Sequence, residues 1–207
     1  MQMAVSLLDA ESLLRAGGLL ALVTVVFVES GLLVGFFLPG DSLLFLAGFL
    51  ASPSGGQLMP PIWLVMICVV VAAIAGDQVG YSFGRRVGKA LALRPENRWF
   101  KKSRLDQAEQ FAQKYGPKAI VLARFVPIVR TFTPVVAGIG HLDRKVFTRY
   151  NVLGGLLWGV GLPGLGYGLG GVALVRNNLE SAVLVVIALS LIPAAIQVVR
   201  HLRSNET

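Results

Sequence analysis

The chain has 207 residues, of which 55% are hydrophobic and only 14% charged, with a mean hydropathy of +0.69; a soluble domain carries about 25% charged residues, so this composition belongs to a membrane protein. A net charge of +8 does not signal a nucleic-acid-binding domain, because such proteins spread basic residues over a polar surface and lack long apolar runs. The one cysteine, Cys68, lies inside an apolar run, which excludes a disulfide, a zinc site and CxxC redox chemistry, and no metal or cofactor is expected.

Residues 1–18 read as an amphipathic N-terminal segment. Asp9 and Glu11 stand where a secretory signal would be basic, and no small-residue cleavage site follows a short apolar core, so no cleavage is expected. Apolar stretches then cover 19–51, 62–83, 119–140, 146–175 and 179–199, to be compared with the roughly 20 residues a helix needs to cross a bilayer. Stretches 62–83, 150–172 and 179–199 each fit one crossing. Stretch 19–51 is too long for one crossing, too short for two with a turn, and interrupted by Leu38-Pro39-Gly40-Asp41. Stretch 119–140 has the right length but contains Arg124, Pro127, Arg130 and Pro134, and a proline inside a helix removes a hydrogen bond and clashes with the preceding turn. Both are predicted to be broken, re-entrant hairpins.

Lysine and arginine accumulate in cytoplasmic loops. The predicted loop 84–118 holds ten of the nineteen basic residues, which places it in the cytoplasm. The connection 141–149 adds Arg144, Lys145 and Arg149, and a second hairpin that enters and leaves on the cytoplasmic side keeps both segments inside. The chain then crosses outward over about 150–172, turns near 176–180 and returns, so that 176–207 forms a C-terminal transmembrane helix and cytoplasmic tail. The uncharged 52–61 lies outside. If the first hairpin returns to the outside, the N-terminus starts there; a full crossing by 19–37 would start it inside. Within the basic loop, Leu105, Ala108, Phe111, Ala112 and Tyr115 recur at helical spacing between Ser103 and Gly116-Pro117, which predicts a short amphipathic surface helix.

Transporters are often built from inverted repeats. Phe37-Leu38-Pro39 leading to Ala47-Gly48 is similar to Phe125-Val126-Pro127 leading to Ala137-Gly138, and Gly80-Tyr81-Ser82-Phe83-Gly84 is similar to Gly166-Tyr167-Gly168-Leu169-Gly170. Each half of 19–175 is therefore expected to be a broken hairpin followed by a crossing helix, with hairpins of opposite entry meeting near the midplane. The fold class predicted is an all-α integral membrane protein of two inverted repeats plus a C-terminal transmembrane helix.

Five ionisable residues lie within apolar segments: Glu29, Asp41, Asp77, Arg124 and Arg130. Each costs roughly 2.5 to 3.5 kcal/mol near the bilayer centre and normally faces a partner, a cavity or a pathway. Glu29 and Asp41 fall in the first hairpin, Arg124 and Arg130 in the second. They admit two readings, a pair of buried ion pairs joining the halves or a functional site. Buried pairs are often neutral for stability once desolvation is counted, which favours function. Arginine's planar fork matches phosphate oxygens, backbone N–H groups freed at a broken hairpin favour an anion, and a desolvated carboxylate can take a proton. Glu29 and Asp41 are thus candidate proton-coupling groups and Arg124 and Arg130 candidate phosphate-binding groups. Asp77, ahead of Arg85 and Arg86, reads most simply as a helix-end ion pair at the interface. The nine glycines between 154 and 171 are expected to permit close helix approach, and Tyr81 and Tyr167 to be core or interface aromatics.

These pieces resemble the DedA family of bacterial inner-membrane proteins, the group containing the SNARE-associated or VTT domain. The resemblance is carried by FVESGLLVGFFLPGDSLLFLAGFLA from Phe27, GDQVGYSFGRRVG from Gly76 and YGPKAIVLARFVPIVRTFTPVVAGIG from Tyr115. It implies that Glu29 and Asp41 are the functional acids and Arg124 and Arg130 the functional arginines, in two hairpins of opposite entry. Pro39, Gly40, Asp77, Pro127, Thr131, Pro134 and Gly138 are expected to shape the hairpins or the cavity. The departure is Ile128, where many relatives have glycine. The implied role is proton-motive-force-linked return of undecaprenyl phosphate from the outer to the inner leaflet of the bacterial plasma membrane. Its partners are then a polyprenyl-phosphate lipid, protons and membrane lipids, with no nucleic acid and with a homo-oligomer left open. Two other classes compete: a proton-coupled transporter or scramblase of another anionic lipid or solute, and a membrane phosphatase. The phosphatase needs a histidine nucleophile, but Pro53-Ser54-Gly55 is followed by Gly56, and the two histidines, His141 and His201, fall in predicted loops; no enzyme activity is expected.

Overall fold

The computed structural model describes residues 2–31, 40–92 and 118–172. They form six α-helices: α1 (Gln2–Gly31), α2 (Gly40–Ala51), α3 (Ile62–Ala92), α4 (Lys118–Ala123), α5 (Pro127–Ile139) and α6 (Arg144–Leu169). Pro39, the surface helix placed near 105–115 and the C-terminal helix within 176–207 lie outside the described residues.

Local chemistry sets the boundaries. α1 is kinked at Gly18, whose φ of 53° and ψ of −139° are open to glycine and strained for other residues; the apolar half, Ala16–Gly31, has the kink near its start. A 3₁₀ turn at Pro53–Gly55 is capped by Ser52, whose hydroxyl accepts from the Gly55 N–H at 3.2 Å. α3 does not stop at residue 83. It runs to Ala92, because Arg85, Arg86 and Lys89 are good helix formers and no proline stands in their way; the first nine residues of the segment read as loop 84–118, and Lys118 at its end, are helical. α6 likewise starts at Arg144 rather than near 150, because Asp143 caps it by accepting from the Lys145 and Val146 N–H groups at 2.9 and 3.0 Å.

The helical segment expected over 119–140 is interrupted at one place. Residues 124–126 close a tight turn through Arg124 N–H to Val121 O, Phe125 N–H to Leu122 O and Val126 N–H to Ala123 O, at 3.3, 3.1 and 3.0 Å. Pro127 then opens α5 at a first-turn position, where its missing N–H costs nothing. Pro134 breaks nothing: it sits inside the continuous Pro127–Ile139 helix.

α3 and α6 pack on each other, and each takes a short helix from the other half of the chain: α2 lies along α6, α5 along α3, and α1 along α3. Four glycines make the crossings possible. A side chain at Gly48 would strike the backbone of Pro163 and one at Gly166 the backbone of Phe45, closing α2 on α6; Gly84 and Gly138 face the backbones of Val135 and Tyr81 in the same way, closing α5 on α3. The glycines of α6 are not all of this kind, since Gly161 and Gly168 have open space where a side chain would go.

Every residue of α2 is buried. At 12 residues and about 1.5 Å per residue it is too short to cross a bilayer, and its all-round apolar surface is enclosed by protein. Its leucines and Phe49 join Leu22, Val26, Val65, Val69 and Trp158 in the main core. Outward, Trp63, Ile67 and Val71 on α3 and Leu153, Leu156, Leu157 and Val160 on α6 are exposed, as lipid-facing surface requires. Among the described residues, two helices, Ile62–Lys89 and Arg144–Leu169, are long and apolar enough to cross a membrane. The tyrosines aligned by the internal similarity differ: Tyr81 is 1% exposed and Tyr167 38%.

Candidate functional site

Arg130, one turn into α5, joins the two halves of the chain. Its Nη1 donates to Asp41 Oδ1 at 2.5 Å and its Nη2 to Glu29 Oε1, so one guanidinium binds an acid from the end of α1 and another from the start of α2. Asp41 occupies the first turn of α2, where the helix dipole favours a negative charge. Glu29 is 3% exposed, and its Oε2 lies where a side chain on residue 40 would be. A side chain at residue 40 would therefore have to displace the carboxylate from this position.

Arg124 sits in the break between α4 and α5. It pairs with neither acid of the first hairpin: its Nη2 donates to Asp77 Oδ2 and, at 2.7 Å, to Asn151 Oδ1, and Asn151 donates in turn to the Ile74 carbonyl at 3.3 Å. Asp77 is buried in the middle of α3, which corrects its reading as an interfacial helix-end pair. Arg85 instead donates to the Tyr81 hydroxyl at 2.9 Å, and Tyr81 donates to the Leu142 carbonyl at 2.5 Å while stacking on Phe147 at 4.6 Å. Gly154 faces the Arg124 side chain, where a Cβ would lie at ordinary contact distance, 3.5 Å, from Cδ and Nε.

Trp158 of α6 touches both ionic groups. Its indole Nε1 donates to Asp41 Oδ1 at 2.9 Å, and its ring centre lies 4.9 Å from the Arg130 guanidinium and 5.9 Å from that of Arg124, within cation–π reach. Between the two groups is a small cavity lined by Ser30, Asp77, Ile120, Arg124, Arg130, Thr133, Pro134 and Trp158. Its free space is that of about one water molecule.

Of the residues singled out from sequence, Glu29, Asp41, Asp77, Arg124 and Arg130 thus lie around one buried centre. Gly40 underlies it, Pro134 lines its cavity, and Thr131 is buried beside Arg130 in sequence. Pro127 starts α5 and Gly138 sits on the α3 crossing, away from the charges. Sequence reasoning missed Trp158 and Asn151. Asn151 carried a signal, as a fully buried amide in an apolar helix is expected to have a partner; a tryptophan in such a helix carries none. Among the described residues no set of His, Cys, Asp and Glu is placed to hold a metal.

Residues 38–168 match the VTT domain, a span that includes every residue of this centre but Glu29 and Ser30. The chain is 44% identical to protein DedA of Escherichia coli K12 over 180 residues, 87% of this chain and 81% of that one. It is 42% identical to an uncharacterized membrane protein of Mycobacterium leprae over 195 residues, 94% and 86% of the two chains. To the inner membrane protein YqjA of Escherichia coli K12 it is 36% identical over 149 residues, 72% and 66% of the two. No solved structure matches. By these matches the chain belongs to the DedA family of VTT-domain membrane proteins.

Proposed function

We propose that this protein is a transporter, not an enzyme, that returns polyprenyl phosphate, of which undecaprenyl phosphate is the expected form, from the outer to the inner leaflet of the bacterial plasma membrane, coupled to protons. The observation that carries this reading is the occupancy of Arg124 and Arg130 by acids around a common buried cavity. Guanidiniums keep their charge at any working pH, so each needs an anion at all times, and a phosphate exchanges for a carboxylate without leaving a bare charge in an apolar interior. Protonation of Glu29 or Asp41 releases Arg130, the lipid phosphate takes the place of the carboxylate, and deprotonation on the other side expels it. The prenyl chain stays in the bilayer throughout.

An inverted-repeat architecture supports alternating access. The Ala-Gly pairs at 47–48 and 137–138, matched in the internal similarity, occupy matching places in the packing: each closes a short helix on the long helix of the other half. In this reading the protein crosses the inner membrane several times, with the basic segment after α3 in the cytoplasm.

The test is leaflet-specific measurement of polyprenyl phosphate in proteoliposomes under an imposed proton gradient. Wild type is expected to deplete the outer leaflet, and Glu29→Ala and Arg130→Ala to abolish depletion. Equal rates in all three contradict the proposal, and equal transport of a soluble phosphate ester makes the protein a solute carrier instead.

A further inference from the structure

Three carboxylates, Glu29, Asp41 and Asp77, share the buried centre with two guanidiniums, Arg124 and Arg130. Fully ionised, the centre carries one excess negative charge in surroundings that penalise unpaired charge, and a single proton neutralises it. The hydrogen bonds distinguish the acids. Asp41 Oδ1 accepts twice, from Arg130 Nη1 at 2.5 Å and from the Trp158 indole at 2.9 Å. An indole N–H only donates, so Trp158 holds that oxygen as an acceptor. Asp77 is bound by Arg124 beside Asn151. Among side chains Glu29 is held by Arg130 alone, through Oε1: its Oε2, the one buried side-chain oxygen among the described residues without a close hydrogen-bond partner, is pressed against the backbone of Gly40. A bare carboxylate oxygen is costlier to bury than the hydroxyl of a neutral carboxyl.

We propose that Trp158 is a positioning residue that holds Asp41 on Arg130 as a permanent counter-ion, and that the exchangeable proton of the centre belongs to Glu29. This division of labour rests on the proton-coupled reading above. The charged groups facing Glu29 are Arg130 of α5 and Asp41 of α2, with Asp77 of α3 and Arg124 of the break around the adjoining cavity. A proton from water converts the Glu29 carboxylate to the acid, its ion pair with Arg130 Nη2 opens, and the freed N–H donates to a phosphate oxygen instead. Asp41, tied to the indole, stays. Return of the proton to water restores the pair and expels the phosphate.

Infrared difference spectroscopy of the full chain in lipid nanodiscs, between acid and alkaline buffer, reads this directly and needs no substrate. A protonated carboxyl with few hydrogen bonds absorbs at the high-frequency edge of the carboxyl region. Wild type is expected to show one such titrating band, lost in Glu29→Gln, shifted in Glu29→Asp and kept in Asp41→Asn. Trp158→Phe keeps the ring but deletes the N–H, and is expected to add a second band that Asp41→Asn then removes. Absence of a titrating band in wild type, or a band that survives Glu29→Gln and vanishes with Asp41→Asn, overturns the assignment. A Trp158→Phe spectrum identical to wild type overturns the role given to the tryptophan. A Glu29 band in a protein that moves no lipid would leave this assignment standing while the transport reading fell.

Discussion

At the scale of single residues, the centre is two arginines, each bound by acids that the chain supplies from elsewhere. Asp77 and Arg124 come from α3 and from the break before α5, and Asp77→Ala leaves a buried guanidinium with only an amide for company. Removing one partner of a buried pair costs about 3–5 kcal/mol. Asp77→Ala is therefore expected to lower the thermal unfolding midpoint in detergent markedly, and the double leucine variant, Asp77→Leu with Arg124→Leu, to recover part of the loss; no recovery contradicts direct pairing. The four charges of the hairpins were legible in sequence because an ionisable side chain in an apolar run is conspicuous. Their partners were not. The sign pattern suggested that both arginines would meet the acids of the first hairpin, yet only Arg130 does, because pairing depends on which helix faces which. Trp158 was invisible for a related reason: its indole N–H acquires meaning only once Asp41 is known to lie 2.9 Å away.

At the scale of elements, apolar length and proline position located the broken segments but not their ends. Both prolines of the second hairpin looked like breaks, and only Pro127 marks one, since Pro134 rides inside α5, where side-chain packing on α3 supports the helix despite the lost hydrogen bond. Basic residues marked the flank of α3 without ending it. The glycines divide into those that set helix distance and those that do not. A Cβ on Gly138 would stand 2.8 Å from the Arg85 backbone nitrogen, whereas one on Gly168 meets nothing within 4 Å. Overpacking of this kind costs about 1–3 kcal/mol, so Gly138→Ala is expected to destabilise the protein in a thermal melt and Gly168→Ala to leave it unchanged. Equal effects would contradict the crossing geometry.

At the scale of the whole molecule, the net charge of +8 and the functional charges are separate things. Segment 84–118 contains ten basic and three acidic residues, close to the entire excess, whereas the buried acids and arginines nearly cancel in the total. The central claim is that Arg130 holds two anions at once on its fork, Glu29 and Asp41 in this structure, and Asp41 together with a phosphate that replaces Glu29 during transport. Lysine keeps the charge but cannot present two fixed N–H donors. The measurement that tests this most directly is the initial rate of polyprenyl-phosphate translocation by Arg130→Lys in proteoliposomes, beside its melting temperature. The account predicts a rate at least about tenfold below wild type, equivalent to about 1.4 kcal/mol, in a protein that still melts cooperatively; a lysine variant as fast as wild type would contradict it.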